Sequence, residues 1–121
     1  MIGDENAIKK INGFIGTDWS LGKITIDDEN LCIELLGERH QAIISCYNFI
    51  GFLLIGNWDE AVIECIWIES KGDLINNSIQ EIKRLHGNQT LSNEHIWHQL
   101  NIKLINGNII KIACEGFKFE V

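Results

Sequence analysis

The nearest approach to a metal or acid–base motif in this chain is His95-Ile96-Trp97-His98, two histidines three apart behind Glu94. On a helix such a pair could share one ion. Alternation of apolar and polar residues places it at the start of a strand instead, where positions three apart point to opposite faces. The H-E-x-x-H zinc pattern is absent, so the expectation is exposed histidines at a strand entrance. The four cysteines, Cys32, Cys46, Cys65 and Cys114, form no C-x-x-C pair, and each sits in an apolar run. Zinc sites want ligands that converge from close spacing on turns, so these read as buried free thiols acting as small hydrophobes. His40 lies near Cys46, but no spacing rule makes them a base and a nucleophile. No serine stands in G-x-S-x-G, and no glycines form G-x-G-x-x-G or a P-loop. No catalytic residue, metal site or cofactor is expected, and the chain does not read as an enzyme.

The carboxylates are more suggestive as a surface. Asp27, Asp28 and Glu29 crowd one turn, and Asp59 and Glu60 follow Trp58 on another. Acids at turns are ordinarily just solvated. Clustered at loop tips they can also speed encounter with a basic protein, and a tryptophan beside them is the residue type that anchors an interface. Asp27, Asp28, Glu29, Trp58, Asp59 and Glu60 are therefore the candidate partner-binding residues. Trp19 beside Asp18 is a similar pairing, whereas Trp67 and Trp97 are expected in the core.

These turns need elements to hold them. Ile8, Ile11 and Ile15 have helical spacing, so the first segment is a short helix or a loose arm, stopped by Gly13 and Gly16. From Leu21 the period becomes two: Leu21–Ile26 and Leu31–Leu36 flank Asp27–Asn30 as a hairpin. Gln41–Tyr47 follows as a strand. Phe49–Gly56 and Ala61–Glu69 are apolar on both faces, which predicts a covered strand with Gly51 as a possible bulge and then a central strand. Ile75, Ile79, Ile82 and Leu85 form one stripe of a helix over about 73–86, with Asp73 as a candidate cap, Asn77 with Gln80 as an alternative start resembling a capping box, and Gly87 as the stop. Residues 88–94 read as a loop. Trp97–Leu104 and Asn108–Glu115 flank Asn106-Gly107, a two-residue hairpin signal. Gly116 allows a bend before Phe117, Phe119 and Val121 alternate to the end. Short connections force antiparallel neighbours. The expected fold is α+β and β-dominated: a curved antiparallel sheet or partial barrel of seven to eight strands with one main helix, which closes the concave side.

At 121 residues the chain makes one domain, 1–121, with a core that needs no metal or disulfide. With 23 isoleucines against two valines, the apolar set favours pleated strands and fits an AT-rich bacterial genome. A hydrophobic share of 45% excludes disorder as the main state. The formal net charge is −7, with 10 basic against 17 acidic residues, which disfavours direct binding of nucleic acid. The acidic start lacks the basic and apolar regions of a signal peptide, and no run approaches the roughly 20 residues that span a bilayer. No membrane association and a cytoplasmic location are expected.

The stretch from Cys46 to Ile68, with Phe49, Phe52, Asn57-Trp58-Asp59-Glu60 and Ile63-x-x-Ile66-x-Ile68, resembles small bacterial immunity proteins of polymorphic toxin systems. So does the closing pattern Leu100-x-Ile102-x-Leu104, Gly107-x-Ile109-Ile110-x-Ile112-x-Cys114. That group includes antitoxins of contact-dependent growth inhibition. The resemblance covers roughly half the chain and implies a small, acidic, cytoplasmic, non-catalytic protein. Its partner would be the C-terminal domain of a cognate toxin, often a nuclease with a basic cleft. It carries no site residues over. The alternative is a curved sheet enclosing a small apolar ligand, or a degenerate enzyme of that shape.

Overall fold

Alternating apolar residues pair here into two antiparallel sheets. The computed structural model describes residues 4–13, 19–55, 62–86 and 96–121. Helix α1 (Asp4–Asn12) precedes β1 (Ser20–Asp27), β2 (Asn30–Leu36), β3 (Gln41–Tyr47), β4 (Gly51–Ile55) and β5 (Ile63–Glu69). Then come α2 (Asp73–His86), β6 (His98–Leu104), β7 (Ile109–Cys114) and β8 (Gly116–Glu120). One sheet has the order β1-β2-β3-β8 and the other β4-β7-β6-β5.

Two strands belong to both sheets in all but name. β3 runs on through residues 48–50 into β4, and β7 runs on through Glu115 into β8. Tyr47 pairs with Gly116 and Gly51 with Ala113, so residues 48, 49 and 50 face only residues 114 and 115. That extra residue is a β-bulge, which bends a ribbon and sharpens its twist. Asn48 absorbs the bend with φ 52°, a left-handed conformation that asparagine tolerates better than most residues. Backbone bonds from Glu115 N to Tyr47 O (2.9 Å) and from Ile50 N to Ala113 O (2.8 Å) hold the corner. The bulge therefore lies just before Gly51 rather than on it. At the far edges, one bridge between Ser20 and Val62 joins β1 to the approach to β5. The result is a strongly bent sheet folded over its own core, with no closed barrel among the described residues.

The core lies between the two sheets. Leu31, Ile33, Leu35, Ala42, Ile44 and Cys46 of one sheet meet Leu100, Ile102, Leu104, Ile110 and Ile112 of the other. Leu21, Ile63, Ile66, Cys114 and Phe117 also belong to it. The N-terminal segment is a helix, and its Ala7 and Ile11 join this core where α1 packs on β8 and β5. Asn12 Oδ1 accepts the Ile68 N–H at 2.7 Å, so the helix end also occupies part of the β5 edge.

The main helix α2 spans the expected residues but sits on the other side. It packs on β4, β7 and β6, over the face that carries Gln99, Asn101 and Ala113, whose neighbours Leu100, Ile102 and Ile112 point into the core. The concave side is filled by the two sheets' own side chains and by α1. At the start of α2, Gly72 O accepts the first helical bond from Asn76 N, so glycine and not Asp73 occupies the cap position. The missing cap side chain is supplied from a strand: Gln99 Oε1 accepts Leu74 N–H at 3.1 Å. Gln99 Nε2 in turn donates to Asn101 Oδ1 at 2.8 Å.

Other strand assignments move as well. β4, expected to be covered, is the edge of its sheet, with Leu53 38% and Leu54 36% exposed. β5, expected to be central, is the opposite edge; β6 and β7 are central. The β6–β7 turn has three residues, not two. Leu104 N bonds to Asn108 O and Gly107 N to Leu104 O, both at 2.9 Å. Gly107 takes φ 91°, which a side chain would strain. The residue 88–94 loop lies outside the described residues.

Candidate functional site

The thiols and histidines separate on folding. Cys46 and Cys114 are buried, while Cys32 and Cys65 are only half-buried, and all four are free. Cys46 is thus removed from His40, which is exposed at the other end of β3. Six strand residues put them about 20 Å apart, so they cannot act as nucleophile and base. His98 is not exposed as expected: it is half-buried, with its ring 5.9 Å from that of Phe117. His95 lies outside the described residues. Among those described, no three His, Cys, Asp or Glu side chains are grouped to hold a metal ion. None of the described helices is long and apolar enough to cross a membrane.

The Cys46 thiol is held well above its ordinary pKa, first by a hydrogen bond with the Cys114 thiol and then by burial. The unfolded chain ionises this thiol above about pH 8.5, while the folded chain keeps its proton. The stabilisation is therefore fully present below that pH and is lost as pH rises toward the raised folded value. Iodoacetamide at pH 8 is expected to add two groups to the native protein, at Cys32 and Cys65, and four after denaturation. Intact mass reads the count; four adducts on the native protein would show that the core thiols are accessible.

The acidic turn is where the described structure builds something. Asp27 pairs with Asn30, which leaves Asp28 and Glu29 as a two-residue hairpin tip, with Asp28 at φ 50°. Asp27, Asp28 and Glu29 are all exposed. The tip is fastened to the corner of the fold, because Phe49 N donates to Glu29 O at 3.0 Å. This brings Glu29 beside residues distant in sequence. Glu29, Asn48, Phe49, Ile50, Trp97 and Glu115 line an open cavity of about 320 Å³. Asn48 Nδ2 donates to Glu115 Oε2 at 2.9 Å and ties the two arms of the corner together.

Of the expected partner-binding residues, Asp27, Asp28 and Glu29 are thus together on one projection. Trp58, Asp59 and Glu60 lie outside the described residues. Trp97, expected in the core, is a half-buried wall of the cavity. Trp67 is half-buried too, with Nε1 donating to Glu69 Oε1 at 3.3 Å. Asn48 and Glu115 were missed by sequence reasoning. Asn48 interrupts the alternation between two apolar runs, and Glu115 directly precedes the bend read at Gly116. A second open cavity, of about 480 Å³, is lined by Trp19, Gly37, Glu38, Arg39 and His40. Trp19 there packs on the core and lies against Gly37, where a Cβ would come within 3.2 Å of its ring. Its lining mixes both signs of charge and gathers no acidic surface.

Comparison of the chain with protein-family models, with curated proteins and with solved structures finds no match.

Proposed function

We propose that this protein is a bacterial immunity protein, as its resemblance implies. It binds the cognate toxin domain, a basic nuclease, in the cytoplasm and occludes the active cleft without doing chemistry itself. The observation that carries this reading is the acidic corner: Asp27, Asp28 and Glu29 projected on a short tip that is fastened beside Glu115 and Trp97. A nuclease cleft is built to meet phosphates, so carboxylates on a fixed projection can take their place. The net charge of −7 attracts such a cleft from a distance.

Size agrees with this. A standard interface hides about 800 Å² on each partner, roughly a tenth of the 7554 Å² surface here. The hairpin tip alone is too small for that. The tip, the cavity and the neighbouring edge of β4 form one contiguous region from which such a patch can be drawn. Trp58, Asp59 and Glu60 remain proposed contributors.

The test is to find whether a large toxin gene adjoins this one and to co-express that toxin's C-terminal domain with this chain. That domain alone is expected to arrest growth of a bacterial host, and this chain to restore growth and co-elute with it. Absence of both binding and rescue overturns the reading.

A further inference from the structure

We infer that the open edge of β4 pairs with the β4 of a second copy of this chain, joining two sheets across a two-fold axis. The inference does not rest on the proposed function. Among the described strands β4 pairs with β7 alone. An edge strand turns the N–H and C=O groups of alternate residues outward, and that row is a template for another extended strand. The backbone thus fixes the kind of occupant.

The other three sheet edges are each guarded. β1 has a register shift between Leu21 and Ile24, an exposed Lys23 and a bridge from Ser20 to Val62. β5 has a shift between Ile63 and Cys65, and its Ile68 N–H is taken by Asn12. β8 carries Lys118 and Glu120, paired with each other, and α1 packs on it. Shifts, charges and covering elements are the devices that stop edges from pairing. Among the described residues β4 has none of them at its edge. Helix α2 meets it on a face, where Gly51 lies beside Leu74 and Ser78. Residues 51–55 keep an unbroken register with β7, contain no charge and no proline, and leave Leu53 and Leu54 exposed.

What selects a second copy is the strand's own sequence. Two antiparallel β4 strands match along their whole length when Leu53 faces Leu53. Phe52 then faces the second copy's Leu54, and Leu54 its Phe52, on the face where Phe52 packs against the core. No charged residue enters any of these pairs, although the chain has a net charge of −7. The two-fold uses up both open edges, so assembly stops at two copies. Phe49, whose N–H holds the Glu29 carbonyl, precedes β4, so the acidic tip is not part of the ladder. A ladder this short is small beside a standard interface of about 1,600 Å², which places the dimer in the weak class, with Kd on the order of 100 µM.

Sedimentation equilibrium of the chain alone, from about 10 µM to about 1 mM, spans that value. The dimer is expected to fill over this range and to tighten with salt, because like-charged bodies repel less when screened. Leu53→Lys should raise Kd at least about tenfold, since two ammonium groups then face each other in place of apolar contact. Leu53→Thr keeps the strand preference and should raise it about threefold, which decides the matter if the lysine variant folds poorly. Ile26→Lys, at an exposed apolar residue on β1 of the other sheet, should leave it unchanged. In ¹⁵N-labelled protein the amide shifts on dilution should centre on residues 51–55. A chain that stays monomeric to the top of the range, a dimer unmoved by both Leu53 variants, or shifts centred outside β4 overturns the inference. Amides of β4 that respond only to the toxin domain proposed as partner give this edge to that domain, and the inference falls as well. Growth rescue is read in a separate assay, so its failure leaves the dimer standing and a failed dimer leaves the immunity reading standing.

Discussion

Changing Asp27 to Lys, Asp28 to Asn and Glu29 to Lys together is expected to slow association with the toxin domain proposed as partner by about 10- to 100-fold at low salt. Two reversals and one neutralisation add five charges, so the formal net charge moves from −7 to −2. Asparagine is used at position 28 because φ there is 50°, a conformation that Asn shares with Asp and that lysine would strain. All three side chains are exposed, and the tip is held to the corner by the Glu29 carbonyl rather than by a carboxylate. The variant should therefore fold as the parent does. Stopped-flow association at two salt concentrations reads the effect. At 0.1 M salt the screening length is about 10 Å and at 1 M about 3 Å. The gap between variant and parent should shrink as salt rises, with dissociation changing less than association. Equal association rates in low salt would exclude this hairpin from the steering surface.

Much of the fold was legible because alternation is a direct record of burial. The β1–β2 hairpin, the 73–86 limits of α2 and the antiparallel arrangement all follow from period and punctuation. What alternation does not record is which agent covers a face. In β6 the residues Gln99, Asn101 and Lys103 look like a solvent face, yet Gln99 and Asn101 are each 1% exposed beneath α2. In β4 the run Phe52-Leu53-Leu54 looks covered, yet it belongs to an edge strand. A helix that supplies its own apolar stripe can cover amides, provided that those amides bond to one another and to its first turn. The candidate site was half legible for a related reason. Charge density at Asp27–Glu29 is local and can be read along the chain. The meeting of Glu29 with Trp97 and Glu115 depends on a bulge that folds one ribbon into two sheets. Its sequence trace is Asn48 between two apolar runs and the bend read at Gly116, neither of which says that the two arms meet.

Gln99→Leu, a change that nearly conserves volume, is expected to cost about 2–6 kcal/mol of stability. The glutamine side chain makes two bonds in a nearly dry place: it accepts Leu74 N–H at the start of α2 and donates to Asn101 Oδ1. Leucine removes both and leaves a helix-end N–H and a buried amide oxygen without those partners. Each such loss costs roughly 1–3 kcal/mol. Gly72 records how closely this amide is packed, since a Cβ there would lie 2.1 Å from Gln99 Oε1. Chemical denaturation should show a lower midpoint with an unchanged slope, which marks lost stability rather than a changed unfolded state. Adding Asn101→Leu should restore part of the loss, because replacing both members of a buried pair by apolar groups removes one of the two orphaned atoms. The remaining deficit then belongs to Leu74 N–H, and hydrogen exchange there should be faster than in the parent. If Gln99→Leu leaves the midpoint in place, the strand-borne cap contributes nothing, and α2 is held on its sheet by apolar contact alone.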